Sequence, residues 1–572
     1  MSLWIETSSH RPLIAQLKVE NGTFAVVEDR QLRVNTSPDV SIARLDLFTA
    51  TTNARNDPVY MKTRPNLQTS NATRPSDQTH YTRRQTNKRR SNGWMFTDGW
   101  NLNVEYGIKS REITAAQGFG TFSDVALYFQ KTMEQESPDD YSGHGLYHAC
   151  IGEVLNKTYH LIRKVGWGNF STVWLAWDSR NRRFAAIKIV KCQKEYAKVA
   201  EDETKTLRYI AGMMEEYAKV PPPNDDVLLG KDNVVRFYEG FRIKGRYDSD
   251  GHDLLWHNCI VTEILGDPML ETLCNTGYTG IGLPALRIFA QESLRGLAFL
   301  HSIDLIHTDI KPENVLSVKS TADVCDAALK ILDLIKNGEE LPPEAVCNVD
   351  IPDDVIKRHR SRGHRAPKYD LTMYNGSVSP RIDLDRLERE IREHKEDAID
   401  EEYGPNYKIA DLGNACYTYE HYAEDIQTEQ YQSPETLFRS GYDQSADLFS
   451  LACTIFEAAT GEYLFETHGC EEGFTKAQNH VLLLKDIFGE LPLHVFEQGK
   501  FYDDLMSDAN FAEEVQMRCA PMPLHEILVT QYNWDVRTAC NFEAFLLPML
   551  RMDPRKRETS ERSLYHEWLH QE

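Results

Sequence analysis

The chain has 572 residues, of which 41% are hydrophobic and 26% are charged. These values are typical of a globular protein with more than one core, and they exclude a fibrous chain or one that is disordered throughout. The formal net charge of −23 argues against a general nucleic-acid-binding protein and favours basic partners. No apolar run approaches the roughly 20 residues that a membrane-spanning helix requires.

The cysteines and the N-terminus bear on the compartment. The eleven cysteines are scattered and include no Cys-x-x-Cys pair, which is typical of reduced thiols in the cytoplasm or nucleus. The first residues, Met-Ser-Leu-Trp-Ile-Glu-Thr, lack the apolar segment of a secretory signal. We therefore expect a protein of the cytoplasm and nucleus, acting as a monomer without contacting membranes or nucleic acids.

Residues 1–142 form an N-terminal extension in which we identify no catalytic motif. The alternation in residues 23–27, Thr-Phe-Ala-Val-Val, predicts a short strand. Residues 49–91 are rich in Thr, Asn, Arg and Pro and poor in large apolar residues, so we expect disorder there. The basic run at residues 83–90 is interpreted either as a solvated linker or as a nuclear-import signal.

A strand, a glycine-rich turn and a second strand are predicted from residue 159 onward. Residues 159–173 read Tyr-His-Leu-Ile-Arg-Lys-Val-Gly-Trp-Gly-Asn-Phe-Ser-Thr-Val. The glycines let backbone amides approach the phosphates of ATP, although Ser171 stands where a third glycine is usual. The candidate ATP-binding residues of this hairpin are Val165, Gly166, Trp167, Gly168, Asn169, Phe170, Ser171, Thr172 and Val173.

The next apolar strand, residues 184–188, ends in a lysine. A buried Lys188 needs partners, and the expected ones are the ATP phosphates and Glu203 on the following helix. By residue type alone, Glu203 would be one more solvated helix acid, but its position after Lys188 favours the functional role. Two more strands are predicted at residues 234–238 and 258–262, followed by a hinge. The residues expected around the adenine are Ala186, Thr262, Glu263 and Leu265.

Residues 306–314, Ile-His-Thr-Asp-Ile-Lys-Pro-Glu-Asn, follow a predicted helix and match the catalytic loop of a protein kinase. Phosphoryl transfer needs a carboxylate that orients the attacking hydroxyl, a cation for the γ-phosphate and ligands for metal ions. Asp309, Lys311 and Asn314 are the candidates for these three roles.

A second metal ligand is predicted in residues 408–413, Lys-Ile-Ala-Asp-Leu-Gly, where Asp411 follows an apolar strand. With both metal ligands present, ATP and Mg²⁺ are the expected cofactors. The activation segment then runs to Glu435, which we expect to form a buried ion pair with Arg557. Asp447 is the one charge in an apolar helical run, so we expect backbone amides of the catalytic loop to satisfy it.

These motifs predict an α+β, bilobal protein kinase fold with a small, mainly β N-lobe and a larger α-helical C-lobe. About ninety residues separate the catalytic loop from Asp411, which indicates a long spacer inserted in the C-lobe. Its middle, residues 357–365, is basic. The expected boundaries are an extension at 1–142, the N-lobe through the catalytic loop at 143–316, the spacer at 317–406 and the rest of the C-lobe at 407–572.

The spacer also contains an apolar stripe at Leu384, Leu387 and Ile391, which predicts a helix. This helix either lies against the kinase body or stands isolated in solvent, and the residues alone do not decide between the two.

The chain resembles the SR-protein kinases, serine/threonine kinases that phosphorylate arginine–serine-rich splicing factors. The resemblance covers about residues 143–569 apart from the spacer, and is carried by residues 159–178, the catalytic loop and residues 408–416, 424–428 and 460–466. It implies transfer from ATP to serines of Arg-Ser-rich proteins, and activity without phosphorylation of the activation segment. Thr308 fits that second property, since kinases that need the phosphate usually carry Arg at this position.

The substrate-binding positions follow the family only in part. By resemblance, Glu462 and Asp486 match acids of a groove that docks arginine-rich substrates, whereas Asn479 and Ala520 lack the charges found in the family.

The end of the activation segment departs further. The family sequence Thr-Arg-x-Tyr-Arg-Ser is Thr-Glu-Gln-Tyr-Gln-Ser at residues 428–433. Glu429 and Gln432 thus replace two arginines that hold negative charge beside the acceptor serine. We predict that unphosphorylated Arg-Ser repeats are accepted and that repeated phosphorylation along one tract is impaired.

Two other hypotheses stay open at this point. One is a kinase whose substrates are other basic proteins. The other is a kinase-fold scaffold that binds basic partners with little catalysis. Asn314 and Asp411 together argue against the scaffold, because a binding module has no need of two metal ligands.

Overall fold

The computed structural model describes residues 2–6, 12–20, 23–28, 135–142, 145–222, 224–245, 256–349, 369, 371–374, 376–397, 404–467, 473–518 and 521–571. The predictions for residues 49–91, the basic runs at 83–90 and 357–365, and Ala520 fall outside these ranges. Within them, no helix has the length and apolar character needed to cross a membrane. The nine cysteines of the described residues are free thiols.

The chain divides into two compact units, Met1–Arg90 with Tyr106–Gln117, and Ser91–Glu105 with Gly118–Glu572. The first contains an antiparallel sheet in the order β1-β2-β3. Its strands are β1 (Ser2–Glu6), β2 (Pro12–Glu20) and β3 (Thr23–Glu28). The register pairs Glu20 with Thr23, and the two residues between them are Asn-Gly, the sequence most favourable for a two-residue hairpin. The strand predicted at residues 23–27 is confirmed.

The second unit begins with a six-stranded antiparallel sheet in the order β4-β5-β6-β7-β9-β8. Seven of the eight residues of β6 and five of the eight residues of β7 are buried, because both faces of the sheet are covered. The strand predicted at residues 234–238 is wrong in position: it starts at Phe237, and Val234 forms only an isolated bridge with Ile409. The strands are β4 (Val154–Leu155), β5 (Tyr159–Gly168), β6 (Ser171–Asp178), β7 (Arg183–Val190), β8 (Phe237–Lys244) and β9 (Trp256–Thr262).

One face of the sheet meets helix α1 (Lys194–Lys219), which carries Glu203. The residues that this helix buries recur at spacings of three and four, as expected for one face of an amphipathic helix. They are Ala200, Glu203, Thr206, Leu207 and Ile210.

The other face of the sheet is covered by two helices of the spacer, which we number α5 (Thr321–Asn337) and α6 (Leu384–Asp397). Leu384, Leu387 and Ile391 of α6 are buried in the same core as strands β5 to β7. Trp177 Nε1 of β6 also donates a hydrogen bond to Glu390 of α6 at 2.8 Å. The hypothesis that this helix lies against the kinase body is therefore confirmed over the isolated helix.

The larger lobe is helical and is built around α4 (Leu283–Ser302) and α8 (Ser445–Thr460), which are buried along most of their length. The chain ends in a short helix, α14 (Ser560–Ser563), followed by a separate 3-10 turn, Glu567–His570. The remaining helices are α2 (Asp225–Gly230), α3 (Met269–Asn275), α7 (Pro434–Leu437), α9 (Lys476–Phe488), α10 (Tyr502–Met506), α11 (Ala509–Met517), α12 (Leu524–Gln531) and α13 (Val536–Leu546).

Candidate active site

Two short antiparallel ladders bring the catalytic loop and the predicted metal motif side by side. β10 (Leu305–Ile306) pairs with β13 (Cys416–Tyr417), and β11 (Val315–Ser317) pairs with β12 (Tyr407–Ile409). The first ladder lies before the catalytic loop and the second lies after it. Asp309 and Asp411 are therefore held close together although a spacer of about ninety residues separates the two motifs in sequence.

The buried carboxylate of Asp447 holds the catalytic loop in place. Asp447 accepts hydrogen bonds from the amides of His307 (2.7 Å) and Thr308 (2.8 Å), as predicted. Thr308 has a left-handed backbone with φ of 71°, a strained conformation that these two bonds help to hold. The other predicted anchor is also present, since Arg557 Nη1 and Nη2 lie 2.6 and 2.8 Å from the two oxygens of Glu435, and both side chains are fully buried.

The three predicted residues of the catalytic loop contact one another. Lys311 Nζ lies 3.0 Å from Asp309 Oδ2, and Asn314 Nδ2 donates to the Asp309 carbonyl oxygen at 2.8 Å. Burial by itself lowers the pKa of Lys311, but the carboxylates of Asp309 and Glu313 outweigh it and raise that pKa above its usual value. The lysine therefore stays charged beside the carboxylate.

The predicted pair of Lys188 and Glu203 is present. Lys188 Nζ lies 2.9 Å from both oxygens of Glu203 and 3.7 Å from Asp411 Oδ1. Burial lowers the pKa of Lys188, while the two carboxylates raise it further than burial lowers it. Lys188 on strand β7 thus contacts both helix α1, through Glu203, and the predicted metal motif, through Asp411.

Two buried side-chain oxygens have no hydrogen-bond partner at the positions where metal ligands were predicted. Asn314 Oδ1 and Asp411 Oδ1 are buried and accept no hydrogen bond. No group of three or more His, Cys, Asp or Glu side chains suited to a metal occurs in the described part of the chain. One carboxylate and one amide oxygen fit Mg²⁺, which binds through few protein ligands and completes its shell with nucleotide phosphates and water.

Part of the predicted ATP-binding set lines a pocket that also contains Asp411. Gly168 pairs with Ser171 at the tip of the β5–β6 hairpin, which leaves Asn169 and Phe170 as the turn. The residues that line the pocket are Gly168, Asn169, Phe170, Ser171, Lys188, Val190, Tyr196, Val199, Ala200, Glu203 and Asp411.

Other residues predicted from the hairpin lie around this pocket rather than in its lining. Val165 and Trp167 are exposed, and Gly166 and Val173 face each other across the two strands. Thr172 is fully buried and its hydroxyl accepts a hydrogen bond from Trp174 Nε1 at 3.2 Å. The Thr172 hydroxyl is therefore hydrogen-bonded inside the small lobe. Of the predicted ATP-binding residues, Thr172 has the least structural support.

Thr262 is the last residue of strand β9, and the other hinge residues, Glu263 and Leu265, follow it. Ala186 pairs with Thr262 in the β7–β9 register, and the Thr262 hydroxyl donates to the Glu263 carbonyl oxygen at 3.1 Å. The carboxylate of Glu263 lies 2.8 and 2.9 Å from Lys408 Nζ. This ion pair ties the hinge, including Leu265, to the strand that precedes Asp411.

The sequence interpretation missed two residues that organise the substrate side. Thr428 Oγ1 donates to Asp309 Oδ1 at 2.7 Å and accepts from Lys311 Nζ at 2.9 Å. Gln427 has φ of 71°, and its side-chain oxygen accepts from the Ser433 amide at 3.0 Å. Thr428 was visible as part of the family sequence, but its contact with a carboxylate 119 positions earlier has no local signal.

Glu429 and Gln432 follow directly in a short 3-10 turn and its C-terminal flank. Glu429 Oε2 lies 3.2 Å from Lys476 Nζ of helix α9, and its buried Oε1 accepts no hydrogen bond. Gln432 Nε2 donates to the Ile426 carbonyl oxygen at 3.2 Å. The structure thus places a carboxylate one residue away from the threonine that touches Asp309.

The two predicted groove acids are engaged within the chain. Glu462 accepts a hydrogen bond from the Tyr532 hydroxyl at 2.7 Å, and Asp486 lies 2.5 Å from Arg518 Nη1. Both carboxylates stay candidate groove residues, and Arg518 offsets part of the charge of Asp486. Asn479, on the same helix as Asp486, is buried.

The fold and this site define a protein kinase. The protein kinase domain family matches residues 159–335 and 398–569. Serine/threonine-protein kinase SRPK of Physarum polycephalum is 31% identical over 438 residues, which are 76% of this chain and 91% of that protein. SRSF protein kinase 3 of Mus musculus is 28% identical, with 76% and 90% covered.

The chain therefore belongs to the SR-protein kinase family, and it is a protein serine/threonine kinase. Serine/threonine-protein kinase spk-1 of Caenorhabditis elegans is 30% identical over 528 residues. The match covers 76% of this chain and 51% of spk-1, so this chain spans about half the length of that relative. Membership of the kinase family implies ATP and a divalent cation as cofactors.

Proposed function

We propose that this kinase transfers the γ-phosphoryl group of ATP, with Mg²⁺, to serines in arginine–serine-rich proteins. The observation that carries the proposal is the position of Asp309 between Lys311 and Thr428, with the carboxylate of Glu429 one residue further along. This arrangement supports a hydroxyl acceptor at Asp309 and a cationic neighbour beside it. Relatives named SRSF protein kinase support the same substrate class.

Each polar group has one role in the transfer. Asp309 orients the attacking serine hydroxyl and accepts its proton, and Lys311 offsets charge on the transferring phosphoryl group. Lys188, held by Glu203, binds the phosphates of the nucleotide. Asn314 and Asp411 would hold a magnesium ion, which would neutralise charge on the phosphates. Because these groups are held by mutual contacts, the chemistry rests on positioning and charge.

We also propose that the kinase is active without phosphorylation of its activation segment. Thr308 Oγ1 donates to the Asn414 carbonyl oxygen at 3.0 Å, and the Gln427 amide donates to the Thr308 carbonyl oxygen at 3.0 Å. These bonds, with those of the Gln427 side chain, support an ordered segment that needs no phosphate. Phosphatase-treated protein should keep its full rate, and a large loss after treatment would contradict this part of the proposal.

The residue beside the acceptor serine is selected by Glu429, whose solvent-exposed ion pair with Lys476 is weak enough for substrate charges to compete with it. In an Arg-Ser repeat that neighbour is an arginine, which a carboxylate attracts. A phosphoserine close by is repelled, and the difference is worth about 1–3 kcal/mol at a partly screened surface. The enzyme should therefore phosphorylate fresh repeats well and add further phosphates to the same tract more slowly.

The test of the proposed function is magnesium-dependent transfer from ATP to an Arg-Ser-repeat peptide. A lysine-free acidic peptide and the Asp309→Ala enzyme serve as controls. Selective transfer to the repeat, lost in the variant, is the expected result. Transfer to neither peptide by an enzyme that still binds ATP would overturn the proposal and favour a scaffold that binds basic partners.

A further inference from the structure

A short segment in front of the matched kinase domain reaches into the small lobe. We call residues 135–142 the strap. It contains a 3-10 turn, Pro138–Tyr141, and the side chain of Ser137 caps the start of that turn. The strap lies before residue 159, where the match to the protein kinase domain begins, and it takes no part in the chemistry described above.

The strap inserts Glu136 into the small lobe, where the side chain is completely buried. Both of its oxygens lie 2.6 Å from Lys164 Nζ on strand β5, and Lys164 is only 1% exposed. The Tyr141 hydroxyl and the Asn348 amide also donate to Glu136, at 2.5 and 3.2 Å. A charge buried this deeply is stable only when all its hydrogen bonds are made, so the strap and the strand hold each other in place.

The partner of Glu136 lies at the base of the glycine-rich hairpin. Lys164 comes two residues before Gly166, and the β5–β6 pairing shifts register between these two residues. The shift leaves Val165 as the extra residue of a bulge, a feature that sets the direction of the strand beyond it. An anchor at Lys164 therefore fixes the point from which the hairpin extends over the pocket.

A second ion pair fixes the opposite side of the same hairpin. Asp140 Oδ1 of the strap lies 2.6 Å from Lys191 Nζ, just after strand β7. The Lys191 amide donates to the carbonyl oxygen of Phe170 at 2.7 Å, and Phe170 is in the turn that lines the pocket. The strap thus contacts Lys164 at the base of the hairpin and Lys191, whose amide binds the turn at the tip of the hairpin.

We propose that the strap positions the glycine-rich hairpin for ATP, with Glu136 and Asp140 as positioning residues that act through Lys164 and Lys191. The hairpin glycines have no side chains with which to hold their own conformation, so anchors outside the hairpin decide where its amides lie. The role concerns the nucleotide alone and is independent of which protein is phosphorylated.

The first test is the Glu136→Gln variant of the full chain. This change keeps the shape of the side chain and leaves the buried Lys164 cation without its counter-charge. The dissociation constant for a non-hydrolysable ATP analogue with Mg²⁺, measured by calorimetry, should rise about tenfold. The KM for a peptide substrate should not change, and kcat at saturating ATP should stay within about twofold.

The second test uses the half-exposed pair of the strap, which tolerates substitution better. Asp140→Lys should weaken binding of the same ATP analogue, and adding Lys191→Asp should restore it by rebuilding the pair in reverse. The matched control is Asp226→Asn, which breaks a half-buried ion pair with Arg295 between helices α2 and α4. That control should leave ATP affinity unchanged even where it lowers the melting temperature.

The outcomes separate positioning from a purely structural role. If Glu136→Gln and Asp140→Lys lower the melting temperature but bind the ATP analogue as the wild type does, the proposal is wrong. It is equally wrong if the Asp226→Asn control weakens ATP binding to the same extent. If Glu136→Gln does not fold, the Asp140→Lys variant and its charge swap decide alone.

Discussion

The active centre and the proposed substrate-facing surface of this kinase use carboxylates in opposite ways. In the active centre, Glu203 and Asp447 are paired with the groups predicted for them, Asp309 contacts Lys311, and one oxygen of Asp411 accepts no hydrogen bond. On the substrate-facing surface, Glu462 and Asp486 are bound to other side chains of the chain. Phosphoryl transfer would thus depend on fixed contacts among the residues of the sequence motifs. Substrate recognition would depend on the negative charge that a carboxylate keeps after it has paired with other side chains of the chain.

The largest expected effect tests the active-centre side of this comparison. Asp309→Ala removes the carboxylate that orients the acceptor hydroxyl, so kcat should fall by about 10²–10⁴-fold. ATP affinity should be kept, because Lys188 and Glu203 are untouched. Steady-state kinetics and calorimetry on the same preparation measure both quantities. A loss of less than about tenfold would mean that another group does the work assigned to Asp309.

The next effect concerns stability. Glu435→Gln leaves Arg557 buried without its counter-charge, which should cost about 3–5 kcal/mol of unfolding free energy. Asp202→Asn breaks the solvent-exposed pair with Lys205, whose charges are screened by water, and should leave the unfolding free energy nearly unchanged. Urea unfolding compares the two variants. Equal losses of unfolding free energy in the two variants would show that burial does not determine how much each ion pair contributes to stability.

A smaller effect tests the recognition surface. Glu429→Arg with Gln432→Arg restores positive charge beside the acceptor serine. The rate on a singly phosphorylated Arg-Ser peptide, relative to the unphosphorylated one, should rise roughly tenfold, equivalent to about 1.4 kcal/mol. Glu497→Arg with Gln498→Arg makes the same charge change at two exposed positions elsewhere and should leave the ratio unaltered. A similar rise in that control would point to net charge rather than to position 429.

The smallest expected effect concerns the spacer. If its basic run competes with substrate for acidic positions, replacing Arg358, Arg360, Arg362 and Arg365 with Ser should lower the KM for an Arg-Ser peptide by roughly twofold. Deletion of residues 320–404 is a poorer experiment, since it removes helices α5 and α6 from the core that they share with the sheet. An unchanged KM in the four-residue variant would end the competition hypothesis.

The sequence was most informative where function and local pattern coincide. Asp309, Lys311 and Asn314 lie within six residues of one another, and the apolar stripe of α6 predicts both its helix and its buried face. Several contact partners lie far in sequence from the residues that they contact, and no local sequence pattern predicts these contacts. These partners are Thr428, Lys476, Arg518 and Tyr532. The same holds for the strap, whose ion pair joins Glu136 to a lysine 28 positions later.

The most direct test of the contrast between a retained active centre and an altered recognition surface is a time course on a long Arg-Ser-repeat peptide. Mass spectrometry would count the phosphates on each peptide while ATP and Mg²⁺ are in excess. We expect fast addition of the first phosphates, followed by accumulation of partly phosphorylated products because Glu429 repels the new negative charges. Steady addition until every serine is modified would contradict the role assigned to Glu429.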